Sequence, residues 1–376
     1  MKENSTFYLS LFFGAFFALI LAIISGLYFD PVKILHQYSD NEEVTACIDS
    51  RIYKPYWADQ SEREIYFLGS SRTYWGVNPD HIEHNFGIKV FNLGLPGANL
   101  HETLSHLKVI HHKEALRHVF IILDFSMFDK NNLNLPNFSE DRIQYLSKKE
   151  REPIYIQEWK KVFSIDTLIK YISQDINCVN QKVNGSLNWS SNHTAKLLYE
   201  RVIDIYSKYL VSDFQYSESG LNSIEEFSTL TEVAQSHPST QFHIVFSPFH
   251  SSLYEIFFKF KKEELLKKVR VDTIKAVQNY SNIKVWDYMN FIRSTKPYSS
   301  IVDSRSSLFH EPSHFSFNYG NILFKEIIDN SPNVGTIISS SNIESHFSKI
   351  KRDRKKWIQS QSYQVWPSPY LDKILK

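Results

Sequence analysis

The chain has only two cysteines, Cys47 and Cys178, in 376 residues. Two thiols permit one disulfide or two separate small buried side chains, and they settle neither compartment nor connectivity. They form no metal-ligand pattern, and His111, His112 and His243 have no metal-binding spacing either. The expectation is no metal and no cofactor. An excess of one charge is also missing, since 42 lysines and arginines face 41 aspartates and glutamates. That balance argues against a whole-chain nucleic-acid binder. No internal repeat is visible, and only one apolar run is long enough to cross a bilayer.

That run is Phe7–Phe29, FYLSLFFGAFFALILAIISGLYF, with no charge between Glu3 and Asp30. About twenty apolar residues at about 1.5 Å rise each span a hydrocarbon core. A cleaved signal peptide would be shorter and would end in small residues, for which Ala22-Ile23-Ile24-Ser25-Gly26 is a poor match. Residues 7–29 are therefore expected to form an uncleaved anchor. Residues 1–6 would be a short cytoplasmic N-terminus, with the large C-terminal part outside. Residues 30–62 show no sustained period and are expected to be a stalk and irregular lead-in.

From Arg63 the pattern alternates between strand and helix. Short apolar strands are expected at Ile65–Leu68, Lys89–Leu93, Val119–Leu123, Phe242–Phe246 and Ile283–Trp286. Helices are expected at Pro79–Phe86, Ala98–His112, Ser251–Tyr280 with a break near Arg270, and Asn318–Ile328. This alternation predicts a parallel sheet covered by helices on both faces. Right-handed crossovers then bring all strand C-terminal ends to one edge, where open α/β sheets bind ligands. The Gly69–Arg72 turn, Gly94, Asp124 and Ser247 all fall there.

Over residues 129–221 the rhythm lapses into a polar, aromatic, Asn-rich stretch. It is expected to be a helical insertion, with helices over Gln157–Ile172 and Thr194–Leu210, forming a lid or a partner surface. Residues 333–376 are expected to leave the domain as a basic tail. Its helix would carry Lys349, Lys351, Arg352, Arg354, Lys355 and Lys356, a solvated face or a contact for anionic lipid. Aromatics make up 15% of the chain, which serves an ordinary core or a sugar-stacking surface.

Two short motifs carry chemistry. Leu68-Gly69-Ser70-Ser71-Arg72 follows the first strand, and Glu311-Pro312-Ser313-His314 precedes the last expected helix. A serine hydroxyl is a weak nucleophile until a base takes its proton and a third group orients that base. Ser70 and Ser71 compete for the nucleophile's place, and both also suit a turn or helix cap. His314 suits a base, or a side chain packed at a helix start. Gly94 permits close backbone approach beside a developing oxyanion. Arg72 suits a pairing with Asp124 or an anionic group of a substrate. His250 and Arg305 are candidates to line the cleft.

In the order of these motifs the chain resembles the SGNH/GDSL hydrolases, particularly their membrane-anchored bacterial members. The resemblance covers roughly Arg63 to Asp329 with the one long interruption. It implies a flavodoxin-like three-layer α/β domain. It aligns Ser71 as nucleophile, His314 as general base and Glu311 as the orienting acid, where the family usually has aspartate. Asp303 is an alternative acid. Gly94 matches the second-block glycine of the oxyanion site. The family's third block usually offers an asparagine side chain, and Asp124 stands here instead; an ionised aspartate cannot donate a hydrogen bond. The subgroup's Ser-Pro-x-His appears as Ser247-Pro248-Phe249-His250. The resemblance implies a membrane-anchored, extracytoplasmic esterase or O-acyltransferase of the bacterial inner membrane. Its substrate would be a cell-envelope polysaccharide or other acyl ester, and an acyl-donor membrane protein would be a partner for transfer. A degenerate binding or assembly protein is the alternative.

Overall fold

The structure, a computed structural model, describes residues 2–29, 43–45, 49–148, 180–182, 195–212, 214–216, 226–291 and 308–360. Ten strands lie within them: β1 (Glu43–Thr45), β2 (Ile65–Gly69), β3 (Phe91–Gly94), β4 (His118–Leu123), β5 (Asn180–Lys182), β6 (Gln241–Phe246), β7 (Ile283–Asp287), β8 (Phe309–Glu311), β9 (His314–Phe315) and β10 (Thr336–Ile338). Six form the central sheet in the order β10-β7-β6-β4-β2-β3. The five from β7 to β3 run parallel, and β10 pairs antiparallel with β7. The fold is α/β, as the alternating strand and helix pattern predicts. The antiparallel edge strand departs from the all-parallel expectation.

Side chains of successive strand residues point to opposite faces, and the two halves of the core follow that period. Tyr66 and Leu68 of β2, with Val119 and Ile121 of β4, pack into one cluster. Ile65, Phe67, Phe120 and Ile122 pack into the other. The first face is covered by helices that include Leu100–Ser105, Ser251–Lys259 and Glu263–Val277, the second by Pro79–Phe86 and Phe317–Ile328. Burial on both faces explains why the strands read as unbroken apolar runs.

Three sequence expectations need correction. The lead-in is not irregular throughout, because Ser50–Gln60 is a helix capped by Asp49, whose side chain accepts from the Arg51 amide. Tyr53 and Trp57, one turn apart, are fully buried on it. Its apolar stripe is disguised because Arg51 and Lys54 are buried as well, Arg51 in an ion pair with Glu102 at 2.6 Å. The long helix breaks at Lys261, which has a φ of 55°, and not near Arg270. Arg270 sits inside a continuous helix and grips Asp287 at 2.6 and 2.9 Å. The chain also does not leave the domain at residue 333. It supplies β10 and then a helix, Ile343–Ile358, that buries Ile343, Phe347, Ile350 and Trp357 in the core. Arg354, expected on the basic face, is paired with Glu255 at 2.6 and 2.7 Å.

Residues Lys2–Phe29 form a helix of 28 residues, on which Phe12, Phe13, Phe16 and Phe17 are exposed. Among the described residues no helix is long and apolar enough to cross a membrane. The span expected over residues 7–29 rests on the sequence alone. Cys47, Cys178, Asp303, Arg305 and the helix expected over Gln157–Ile172 lie outside the described residues. Within the expected insertion, Ala195–Ser212 is helical.

Candidate active site

Gly69 ends β2 with a φ of 150°, a conformation that side chains disfavour. A Cβ there would meet Thr73 Oγ1 at 2.1 Å and the Ile122 carbonyl oxygen at 2.5 Å. Only glycine fits this turn, which hands the chain straight into the helix Ser71–Gly76. The two serines then divide their roles. Ser70 is the N-cap and its hydroxyl accepts weakly from the Arg72 amide at 3.4 Å. Ser71 is the first helical residue, half-buried at the carboxyl edge of the sheet. Its hydroxyl lies 2.8 Å from His314 Nε2, across 243 residues of sequence.

The other end of the imidazole meets Glu311. His314 Nδ1 and Glu311 Oε1 are directly hydrogen-bonded. Glu311 ends β8 and His314 begins β9, so a tight antiparallel turn presents both groups. The extra methylene of glutamate is accommodated because Ser313 folds the carboxylate back. Its amide donates to Oε2 at 2.7 Å and its hydroxyl to Oε1 at 2.7 Å. Burial alone would push the Glu311 carboxyl up. The imidazole and the Ser313 hydrogen bonds outweigh it and hold the group below its usual range. Serine, histidine and buried carboxylate therefore form one hydrogen-bonded series. In that arrangement the imidazole can take the hydroxyl proton through Nε2 while the carboxylate fixes its tautomer.

Asp124 follows directly on the end of β4 but does not face an open cleft. Only 2% exposed, it accepts from the Ser70 hydroxyl, from Arg72 Nη1 at 3.1 Å, and from the Ser126 amide at 3.0 Å. It thereby caps the short 3-10 helix Phe125–Phe128. The Arg72 pairing foreseen as one alternative is the one observed. Burial works against the Arg72 charge, yet Asp124 leads a set of neighbours that keep the guanidinium above its ordinary range. Arg72 Nε also donates to the Ser313 carbonyl at 3.2 Å. Its planar fork thus ties the serine turn to the histidine loop.

Gly94 lies beside Gly69 in register, and a Cβ on it would meet the Tyr74 amide nitrogen at 2.5 Å. Its amide, however, donates to Asn92 Oδ1 at 2.8 Å. The Gly94 N–H expected at the oxyanion site is therefore already engaged. The Ser71 amide, at the first helical position, belongs to the donors that a helix leaves without an internal acceptor. His250 does not line an open cleft. It is buried, caps the helix Ser251–Lys259 through Nδ1, and its amide donates to the Pro312 carbonyl at 3.0 Å. That bond steadies the Glu311–His314 turn from behind. Among the described residues no group of three or more His, Cys, Asp or Glu side chains could hold a metal ion.

Two residues near the site escape sequence reasoning. Tyr206, from the insertion helix, has its hydroxyl on Arg72 Nη2. No local motif marks it, since only the return of that helix over the sheet edge brings it there. Lys54 Nζ donates to the carbonyls of Asn92 at 2.9 Å and Gly94 at 3.2 Å, and burial lowers its pKa to about 7.

No protein-family model matches the chain. No curated protein matches it either. Among solved structures, one from Streptococcus pneumonia, provisionally described as a platelet activating factor, aligns with 75% of this chain and 91% of its own. The identity is 10% and the TM-score 0.37.

Proposed function

We propose that the chain is an SGNH-like serine esterase or O-acyltransferase. The observation that carries this is the hydrogen-bonded series Ser71–His314–Glu311, assembled from opposite ends of the domain at the carboxyl edge of a parallel sheet. Ser71 Oγ attacks the acyl carbonyl as His314 Nε2 takes its proton. The ester oxygen leaves with that proton, and water or a sugar hydroxyl then accepts the acyl group. The Ser71 amide faces the developing charge. The apolar run over residues 7–29 and its exposed phenylalanines support a membrane anchor. The domain then lies on the extracytoplasmic side of a bacterial inner membrane and works on an acyl ester of a cell-envelope glycan.

Two observations favour a binding protein without chemistry. The Gly94 amide is engaged by Asn92, and Asp124 replaces a donor by an acceptor, which thins the oxyanion site. Covalent labelling with a fluorophosphonate decides between the two. Labelling of the full chain that disappears in Ser71→Ala and His314→Ala supports the enzyme. No labelling of folded protein from mild acid to mild base supports the binding protein.

A further inference from the structure

Lys54, on the helix Ser50–Gln60, is fully buried, and among the described residues no carboxylate pairs with it. Arg51, one turn earlier, is answered by Glu102. An ammonium taken out of water without a counter-charge is costly. β3 is the outer strand of the sheet, and an edge strand needs donors for its carbonyls. A neutral donor would meet that need at less cost. A cation at this position calls for a second reason, and its contacts supply one.

Every contact of the Lys54 ammonium leads to the turn and helix that carry Ser71. It donates to the Asn92 carbonyl at 2.9 Å and the Gly94 carbonyl at 3.2 Å, and lies over the Tyr74 ring, 4.6 Å from its centroid. Tyr74 belongs to the helix Ser71–Gly76. Gly94 is followed by Leu95, whose amide donates at 2.9 Å to the carbonyl of Gly69, two residues before Ser71. Asn92 reaches the same helix through its side-chain amide. That amide donates to the Thr73 carbonyl at 3.1 Å and, just past the helix end, to the Val77 carbonyl at 2.6 Å. The two turns meet without slack, since a Cβ on Gly94 would lie 2.5 Å from the Tyr74 amide nitrogen and 2.9 Å from Thr73 Cβ. A shift of the turn after β3 is therefore passed on to Ser71.

We infer that Lys54 is a positioning residue for Ser71, holding the turn after β3 against the glycine–serine turn and its helix. The charge strengthens that hold. A carbonyl bonded to an ammonium polarises its own peptide, so the Leu95 N–H becomes a better donor to Gly69. Arg51 adds a second grip on the same turn, with Nη2 donating to the Pro96 carbonyl at 2.7 Å. The helix Ser50–Gln60 is then a support of the site, and not only a cover for the sheet.

The inference rests on the serine chemistry proposed above, and the test separates the two. Full-length wild type, Lys54→Met, Lys54→Gln and, as a core control, Trp357→Ala are compared with an acetyl ester and with the fluorophosphonate, well below every melting temperature. Methionine keeps an unbranched stem without a donor, and glutamine keeps a neutral donor on a stem one bond shorter. Lys54→Met is expected to lower kcat and the labelling rate roughly ten- to hundredfold, as small misplacements of a catalytic group do. KM is expected to stay near wild type. Lys54→Gln is expected to fall between Lys54→Met and wild type, and it carries the test when Lys54→Met does not fold. Trp357→Ala is expected to label near the wild-type rate. Wild-type labelling of either folded Lys54 variant overturns the role and leaves the serine chemistry standing. So does a loss matched by Trp357→Ala, or one confined to KM. Absence of labelling in wild type overturns both.

Discussion

Replacing Asp124 by asparagine probes whether the carboxylate is a relic at an oxyanion site or a structural partner. Asp124 is buried, pairs with the buried Arg72 at 3.1 Å, and accepts from Ser70 and from the Ser126 amide. Asparagine keeps one acceptor oxygen but turns the other position into a donor. That donor would face either the Ser70 hydroxyl and Arg72 or the Ser126 amide, all of them donors already. The buried guanidinium also loses its closest negative charge. Breaking a buried pair from one side costs about 3–5 kcal/mol, and the retained carbonyl points to the lower end of that range. About 3 kcal/mol corresponds to a melting point roughly 4–6 °C lower for a domain running from Ser50 to Ile358. Thermal unfolding followed by circular dichroism reads this directly. A melting point within about 2 °C of wild type would refute the structural assignment. So would an increase in fluorophosphonate labelling, since a carboxylate that repels the oxyanion should release activity when neutralised.

Glu311→Gln keeps the size of the side chain but removes its charge; it is expected to slow labelling by roughly 10² or more while the protein stays folded, and wild-type rates would show that the carboxylate is dispensable. Acid should destabilise the protein in a defined window. Burial lowers the pKa of His243 to about 3 and that of His106 to about 4, from an ordinary value of 6.5. The folded state keeps both neutral, so their contribution is complete above about pH 6.5 and is lost as pH falls towards 4. Urea midpoints measured from pH 7 to pH 4.5 should fall steadily, and His243→Phe should flatten the decline; an unchanged slope would reject His243 as its source. Trp357→Ala should cost about 3–5 kcal/mol, because the ring is buried against Phe291 and the main core. A near-neutral effect on the unfolding midpoint would mean that the last helix is the detached tail that its lysines suggest.

The strand positions were legible because five apolar runs buried on both faces leave a signal that helices and loops do not mimic. Helix Pro79–Phe86 was legible, and the structure shows it bounded by an Asn78 cap and a left-handed Gly87. Helix Ser50–Gln60 was not, because its buried face carries Arg51 and Lys54, whose charges are answered by groups far along the chain. The terminal helix was misjudged for the converse reason. A lysine-rich face says nothing of the residues Ile343, Phe347, Ile350 and Trp357 on its other side, or of the sheet edge left for β10.

By itself, the sequence determined that strands alternate with helices, that a glycine–serine turn follows the first sheet strand, and that a glutamate and a histidine stand three apart before a late helix. Such facts are local and depend on side-chain period and backbone freedom. Only the tertiary structure decided which of two adjacent serines reaches the histidine, that Asp124 answers Arg72, and that a tyrosine from the insertion meets the same guanidinium. Those outcomes depend on the angle at which one chain segment meets another, and the angle is set by packing across the whole domain.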